Sequence, residues 1–404
     1  MAPLLLTLSL LVLRASAQNF SSTAFPPAGT FSQPPCNGVC VPGPYPAQDK
    51  IPPPEDAWTR SVDLSSVPNY PPRPSTMAFG VTCTNGANAS LLGPSGICDY
   101  SCGDKCWRGE VTACPTRGDW ALTYDDGPSV YTISLLDALK AANLMATFFV
   151  IGSRVMERPD ILHRAYQEGH EICLHTWSHS ANTALTNVQI IAETLWTARV
   201  VYQVIGVVPT CTRWPYGDSD DRTRAVMKAL GFRVITWNRD TFDWAISDAK
   251  IQNQTITGNF TQWLAAAGPS GRNASSGFIS LEHDMYKSAV EAAPIAFDLL
   301  RNGGFNVKRV GDCLSTPSYL DLTRPSNGGF NPAVIGAVAI NATAASITTP
   351  ATTPTLINLA SPTLGGPAST NIPGSSAGGS LMHSESVHQR TAVILVVMVS
   401  MLVW

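Results

Sequence analysis

The feature that most constrains this chain is a regular alternation of short apolar runs and amphipathic segments between residues 120 and 310. The run 146–151 is typical of a buried strand, and the segment 188–205 carries apolar residues at helical spacing. The other predicted strands cover 120–125, 171–175, the region of Cys211, 233–237, 278–283 and 306–310, and the other predicted helices cover 131–142, 159–168, 222–230, 248–267 and 289–301. Strands that alternate with helices pair in parallel, so the sequence predicts an α/β fold built as a layer or a barrel.

The segments on either side of this core differ from it in composition. Residues 18–116 are rich in Pro, Gly, Ser and Cys, which predicts a loop-rich extension tied by disulfides. Residues 325–380 contain no Asp, Glu, Lys, Arg or His, and we interpret 315–378 as a Ser/Thr/Pro-rich stalk. The chain carries 26 Lys and Arg against 29 Asp and Glu, so it lacks the basic field of a nucleic-acid-binding protein.

The start of the chain has the pattern of a secretory signal. An apolar run covers 4–13, and Ala15-Ser16-Ala17 follows it with the small residues of a cleavage site. We therefore predict a cleaved signal peptide over 1–17, with an uncleaved anchor as the alternative.

The end of the chain has the pattern of a lipid-anchor signal. An apolar tail at 391–404 follows a polar spacer and a patch of small residues, which is the order found before GPI attachment. We expect 379–404 to be removed and the lipid to be joined to Ser376 or Gly378. The alternative is a tail that anchors directly or packs on the fold.

Two further patterns fit an exported chain. Asn-x-Ser/Thr sites predict N-glycosylation at Asn19, Asn88, Asn253, Asn259, Asn273 and Asn341. The ten cysteines are an even number and, in an oxidising compartment, favour disulfides over metal ligands. We predict that Cys114 and Cys313, which bracket the α/β core, form one of these bridges.

Conspicuous polar residues follow several predicted strands, where parallel α/β barrels place their active sites. Asp125 and Asp126 precede Gly127-Pro128, and a turn there brings both carboxylates to one cavity, although a simple turn pair has the same pattern. His175 and His179 are four residues apart, which on a helical turn places both on one face, close enough to share a metal ion. A chance pair of histidines is the alternative.

Three more groups complete the set. Arg213, in Arg-Trp-Pro-Tyr-Gly, is fixed in charge and can orient a carboxylate through two hydrogen bonds. Asp240 and Asp243 lie in Asp-Thr-Phe-Asp-Trp, and His283 ends an apolar strand in Leu-Glu-His. Taken singly, Arg213 fits a surface arginine before a proline turn, and His283 fits a buried core histidine, equally well.

Taken together and in this order, the five groups resemble the motifs of the polysaccharide deacetylases, also known as the NodB-homology domain or carbohydrate esterase family four. The resemblance covers about 117–310, and with the flanking signals the chain is most similar to the GPI-anchored chitin deacetylases of fungal walls. Tyr124 and Trp214 depart from the residues common in that family. The resemblance implies a distorted (β/α)7-type barrel of about seven strands and helices.

The resemblance also implies a metal site and a general base. Asp126, His175 and His179 match the ligands of one divalent ion, Zn2+ or Co2+, with coordination positions left open for chemistry. Asp125 matches the general base, and Arg213 matches the residue that steadies it.

The acid and the substrate contacts follow from the same resemblance. His283 matches the general acid, with Asp243 as its orienting partner. The backbone N–H of Tyr216 corresponds to the oxyanion donor, and Trp244 and Leu281 match the apolar pocket for the acetyl methyl.

The implied reaction is hydrolysis of the N-acetyl groups of N-acetylglucosamine residues in chitin, giving chitosan and acetate at the cell wall. The implied partners are chitin or its oligosaccharides and, through the GPI lipid, the outer plasma membrane. The alternatives are another acetylated polysaccharide, such as peptidoglycan or acetylxylan, and a wall protein that binds chitin without cleaving it. A glycosidase that uses Asp125 and Asp126 as its acid–base pair leaves the two histidines without a role.

Overall fold

The computed structural model describes residues 41, 44–74, 96–102, 105–248 and 253–320. The predicted signal peptide, nearly all of the predicted stalk and the predicted anchor signal lie outside the described residues, as do Asn19, Asn88 and Asn341. All the described residues belong to one compact unit.

A parallel sheet forms the centre of this unit. Its strands are β1 (Asp119–Ala121), β2 (Thr123–Asp125), β3 (Thr147–Val150), β4 (Glu171–Leu174), β5 (Cys211–Thr212), β6 (Arg233–Val234), β7 (Arg239–Asp240), β8 (Phe278–His283) and β9 (Asn306–Lys308). The strand order is β6-β5-β4-β3-β2-β8-β1-β9, and β7 also pairs with β8. Every one of these strand pairs is parallel, which confirms the predicted α/β class.

The sheet closes on itself through the segment that joins β6 to β7. At its start the N–H of Ile235 donates to the carbonyl of Thr212, 2.8 Å away, beside β5. At its end the N–H of Asn238 donates to the carbonyl of Ile279 in β8 at 3.1 Å. One short stretch of chain therefore bridges two sides of the sheet, which confirms the distorted barrel.

Helices surround the barrel. They are α1 (Asp56–Arg60), α2 (Thr132–Ala142), α3 (Gly152–Glu157), α4 (Pro159–Gln167), α5 (Asn187–Ile205), α6 (Asp221–Leu230), α7 (Asn253–Ala267), α8 (Lys287–Asn302) and α9 (Val310–Leu314). The longest of them, α5, begins at a capping box of Thr186 and Gln189 and ends at Gly206, whose φ is +75°. Among the helices of the described ranges, none is long and apolar enough to cross a membrane.

The structure differs from the sequence prediction in several elements, among them the two-residue strand β7 and the five-residue helix α9, which are too short to show a period in the sequence. The predicted strand 120–125 is split at Leu122, because β1 pairs with β9 whereas β2 pairs with β3. Helix α3 was not predicted, since its six residues are too few to show a helical period. Helix α1 lies in the extension that was predicted to be loop-rich; it starts beyond the proline run, where backbone N–H groups are again available.

Part of the N-terminal extension packs into the main core. The ring of Trp58 on α1 lies 5.2 Å from that of Trp196 on α5, and both are buried. The ring of Tyr45 stacks 5.7 Å from that of Trp177, which follows β4. These aromatic contacts are worth about 0.5–1.5 kcal/mol each beyond the area they bury, so the extension contributes to the stability of the barrel.

Three disulfides join described cysteines. Cys114 is bonded to Cys313, as predicted, and this bridge ties the segment before β1 to α9 at the end of the core. Cys173 is bonded to Cys211, which links β4 to β5, and Cys98 is bonded to Cys106 within the extension.

Removing the Cys114–Cys313 bridge with Cys114→Ser and Cys313→Ser should lower the free energy of unfolding by about 2–5 kcal/mol, because a long loop gains entropy in the unfolded chain. Urea unfolding followed by tryptophan fluorescence measures the loss. Cys98→Ser with Cys106→Ser is the matched control, since its cysteines are 8 residues apart rather than 199 and its loss should be smaller. Equal losses in the two variants would contradict the loop-entropy account.

Candidate active site

The loops that follow the strands contain a concentration of unusual backbone. Ten described non-glycine residues have positive φ, and half of them lie in these loops. The five are Asp126 (φ +81°), Thr176 (+63°), His179 (+59°), Tyr216 (+61°) and Phe242 (+57°). Each such conformation costs about 1–3 kcal/mol and persists only where the surrounding structure enforces it. Backbone strain is therefore concentrated in the loops at one end of the barrel.

Asp126, His175 and His179 converge on one point. The Oδ1 atom of Asp126 lies 3.4 Å from Nε2 of His175 and 3.1 Å from Nε2 of His179. Asp126 is only 5% exposed, so its carboxyl group faces both ring nitrogens away from bulk solvent.

The backbone carbonyl of Arg213 determines which ring nitrogen of His175 carries the proton. Its Nδ1 lies 2.9 Å from the carbonyl oxygen of Arg213, so Nδ1 carries the proton and the neutral ring presents a lone pair at Nε2. That lone pair faces Oδ1 of Asp126, a buried acceptor without a hydrogen-bond donor among the described groups. Two acceptors that face each other at this distance are best satisfied by a cation between them.

These ligand atoms suit one divalent ion. Zinc bonds of about 2.0–2.1 Å in a tetrahedron separate neighbouring ligand atoms by about 3.3–3.4 Å, close to the two distances at Asp126. The expected helical turn is wrong, however, because His175 and His179 lie in a loop after β4. Left-handed backbone at Thr176 and His179, rather than helical spacing, brings the two rings together.

A buried glutamate on α5 holds this histidine loop. One carboxylate oxygen of Glu193 accepts the N–H groups of Trp177 (2.7 Å) and Ser178 (2.8 Å), and the other accepts the Ser178 hydroxyl at 2.5 Å. Burial raises the pKa of Glu193 to about 7, while the hydrogen bonds from Ser178 and Trp177 act to lower it. Glu193 was not among the predicted site residues; the available signal was one acidic residue inside a largely apolar stretch of a helix.

The candidate base is paired with a fully buried arginine. Nη1 of Arg213 donates to Oδ1 of Asp125 at 2.6 Å, and Arg213 is 0% exposed. The same guanidinium donates to the hydroxyl of Thr123 and to the carbonyls of Ile235 and Thr236. Oδ2 of Asp125 lies 3.8 Å from Nε2 of His175, so this carboxylate borders the ligand cluster.

The candidate acid is paired with a buried carboxylate. Nδ1 of His283 lies 2.7 Å from Oδ1 of Asp243, and the backbone N–H of His283 donates to Oδ2 of Asp243 at the same distance. Burial lowers the pKa of His283, but the Asp243 carboxylate outweighs it and raises this pKa to about 10. The structure thus brings together a carboxylate beside a cation and an imidazole beside an anion.

The three predicted substrate contacts lie around these groups. Tyr216 is exposed, with its ring 4.5 Å from that of His179. Trp244 is 47% exposed and its Nε1 donates to Oδ1 of Asp240 at 3.3 Å, whereas Leu281 is buried in β8. In the chain, Trp244 directly follows Asp243, the partner of His283, and Leu281 lies two residues before His283 in β8.

The two departures from the family pattern, Tyr124 and Trp214, are both buried. Tyr124 is buried opposite Glu282 in the β2–β8 register, and neighbouring strand residues point to opposite faces, so its hydroxyl lies away from Asp125. Burial raises the pKa of Glu282 to about 8, so this carboxyl keeps its proton at neutral pH and requires no cation.

Glu193→Ala should weaken binding of a divalent ion about 10- to 100-fold, because the loop that carries both histidines loses its support. Competition with a chromogenic chelator measures the affinity. Glu171→Ala is the matched control: Glu171 is also buried and accepts from Thr147 and Gly311, but it lies at the start of β4, away from the ligands. An unchanged affinity in Glu193→Ala, or an equal loss in Glu171→Ala, would contradict the assignment.

Comparisons with known proteins identify the family. The family model for polysaccharide deacetylase matches residues 112–235. Chitin deacetylase 1 of Cryptococcus neoformans is 37% identical over 298 residues, which cover 69% of this chain and 61% of that protein. The chain thus spans less than two thirds of the length of this relative.

Two other relatives are informative. Chitin deacetylase 2 of Saccharomyces cerevisiae is 32% identical over 261 residues, which cover 64% of this chain and 74% of that protein. The peptidoglycan-N-acetylglucosamine deacetylase of Listeria monocytogenes is 33% identical over 197 residues, which cover 48% of this chain and 39% of that protein. The family-model match, together with the yeast alignment, shows that this chain belongs to the polysaccharide deacetylase family.

Proposed function

We propose that this protein is a metal-dependent deacetylase that hydrolyses the N-acetyl groups of N-acetylglucosamine residues in chitin and yields chitosan and acetate. The observation that carries the proposal is one cluster of three ligand side chains between the Asp125–Arg213 pair and the Asp243–His283 pair. The fungal relatives that match this chain bear the name chitin deacetylase, which supports chitin as the substrate.

Asp126, His175 and His179 would hold one divalent ion, Zn2+ or Co2+. When bound, such an ion polarises a carbonyl oxygen and lowers the pKa of a coordinated water. Within the chain, the hydrogen bond to the carbonyl of Arg213 keeps Nε2 of His175 free to bind metal, and Glu193 holds the loop that supplies both rings.

Asp125 would act as the general base. Arg213 donates to its Oδ1, so Oδ2 is the oxygen that takes a proton from the water that attacks the acetyl carbonyl. The backbone N–H of Tyr216 would donate to the oxygen that becomes negative as the new C–O bond forms. One donor of this kind is typically worth about 3 kcal/mol in the transition state.

His283 would act as the general acid. Asp243 binds its Nδ1, so Nε2 faces the departing group and gives its proton to the sugar nitrogen as the C–N bond breaks. Trp244 and Leu281 would contact the acetyl methyl group. The products are then acetate and a free amine on the sugar.

Two other functions remain as alternatives. A different acetylated polysaccharide, peptidoglycan or acetylxylan, would use the same residues, and the match to the Listeria enzyme favours peptidoglycan between them. A wall protein that only binds chitin would leave the two paired acid–base sites without a use.

An extracellular location is part of the proposal. Disulfides such as Cys114–Cys313 persist in oxidising compartments, which fits a secreted chain. We propose that the chain is held at the outer plasma membrane and cell wall through a GPI lipid at Ser376 or Gly378.

Acetate release from chitin oligosaccharides, with peptidoglycan and acetylxylan fragments in parallel, tests the substrate. Zn2+ or Co2+ should support release, a chelator should abolish it, and Asp125→Asn should reduce kcat about 100- to 10,000-fold while chitin binding is retained. Asp119→Asn is the control, because Asp119 is a buried aspartate of β1 that pairs with Lys308. No release from chitin with either metal would contradict the proposal, and release only from another polymer would move it to that polymer.

The pH dependence tests the acid. His283 must be protonated to act, so activity should fall as the pH rises through its pKa, which Asp243 raises. Asp243→Asn removes that charge and should move the basic limb of the kcat profile to lower pH. The metal is kept saturating throughout, so that the limb does not report loss of the ion. If the basic limb does not move, Asp243 does not set the pKa of the catalytic acid, and the assignment of His283 to that limb is wrong.

A further inference from the structure

The predicted glycosylation site at Asn259 is occupied by protein contacts. Asn259 lies inside α7, is half-buried, and its Nδ2 donates to the carbonyl oxygen of Thr241 at 2.9 Å. Phe260, the middle residue of the site, is 0% exposed. The hydroxyl of Thr261 donates to the carbonyl of Thr257 within the helix at 2.9 Å. A glycan would replace one of the two Nδ2 hydrogens next to the contact with Thr241, on a half-buried helical residue beside the fully buried Phe260, so this site does not suit modification.

Asn273, another predicted glycosylation site, differs from Asn259 in its exposure. It is exposed, in a turn that follows a short 3₁₀ helix at Pro269–Gly271. The side chain of Asn253 lies outside the described residues. Of the two sites whose side chains are described, Asn273 is exposed whereas Asn259 is half-buried.

The carbonyl that Asn259 holds belongs to the loop after β7, which carries Asp243, the partner of the candidate acid His283. Thr241 is buried directly after β7, and both its N–H and its hydroxyl donate to the carbonyl of Leu281 in β8, at 3.2 and 2.8 Å. Thr241 is thus fixed to β8 by its donors and to α7 by its acceptor.

The two residues that follow Thr241 explain why this fixation matters. Phe242 has φ +57° and is 47% exposed, so neither intrinsic preference nor burial of its ring holds it in place. Its N–H donates to Oδ1 of Asp240 at 2.8 Å. Asp243 comes next and makes both hydrogen bonds to His283. A rotation of the peptide between Thr241 and Phe242 would move the Asp243 carboxylate directly.

We propose that Asn259 is a positioning residue rather than a glycan acceptor: its amide fixes the Thr241 carbonyl and so keeps Asp243 aligned with Nδ1 of His283. The inference rests on the proposed function in that His283 is taken as the acid. Asn259 itself does not touch substrate. It acts through the loop after β7: from α7, its side chain restrains the left-handed turn at Phe242.

The test combines a glycan map with kinetics on the whole protein. Asn259→Ala removes the donor, Thr261→Ala removes the glycosylation signal but keeps the Asn259 amide, and Asn273→Gln removes the exposed site. Enzymatic glycan release in heavy-oxygen water, followed by peptide mass spectrometry, should mark Asn273 and leave Asn259 unmarked. Asn259→Ala should lower kcat about 10- to 100-fold with little change in KM, while Thr261→Ala and Asn273→Gln should keep the activity of the unaltered protein.

A second readout separates positioning from simple loss of stability. NMR titration of the His283 ring in Asn259→Ala should show a lower pKa than in the unaltered protein, whereas a merely destabilised fold would leave this pKa in place. The other titratable groups around His283 are unchanged in both chains; they are Asp125, Asp126, Asp240, Glu282 and Tyr286.

The outcomes are distinct. A glycan on Asn259 in the active protein, an unmoved His283 titration, or an equal kcat loss in Thr261→Ala would each overturn the inference. The NMR titration does not depend on turnover. If the unaltered protein releases no acetate but the titration shifts, the proposed function fails and the positioning role stands.

Discussion

The site depends above all on the buried ion pair between Arg213 and Asp125. The guanidinium is fully buried, lies 3.9 Å from the centre of the Phe149 ring and reaches Asp125 at 2.6 Å. Removing one partner of such a pair typically costs about 3–5 kcal/mol, because a charge is left buried without compensation. The carbonyl of Arg213 also fixes the ring of His175. Arg213, in the loop after β5, therefore fixes the position of the candidate base and the tautomer of a candidate ligand, and it joins β2 to the segment after β6.

Strain at the rim of the barrel is balanced by side chains from the helices behind it. The histidine loop contains left-handed backbone at Thr176 and His179, and Glu193 of α5 binds its middle with three hydrogen bonds. The loop after β7, which carries Asp243, is left-handed at Phe242, and Asn259 of α7 binds the carbonyl of Thr241 just before it. In both loops a polar side chain from a helix fixes backbone atoms, so the reacting groups of the proposed mechanism are placed by residues that touch no substrate.

The sequence was sufficient for the fold class and for the order of the motifs along the barrel. Apolar periodicity separates strands from helices, and parallel strands bring Asp125, His175 and His283 to one end of the sheet without further information. The geometry of the histidine loop was not predictable in the same way, because residue spacing does not report a positive φ at His179. Glu193 and Asn259 were not recognised as supports since their partners are distant in sequence, and Asn259 was instead expected to carry a glycan.

The central claim is that Asp126, His175 and His179 together hold one catalytic divalent ion. X-ray absorption at the metal edge, combined with metal content per chain, tests it most directly on zinc-loaded protein. The account predicts one ion per chain with two imidazole nitrogens and oxygen donors in its shell, and one imidazole fewer with weaker binding in His179→Ala. A stoichiometric ion without imidazole donors, or an unchanged spectrum in His179→Ala, would contradict it.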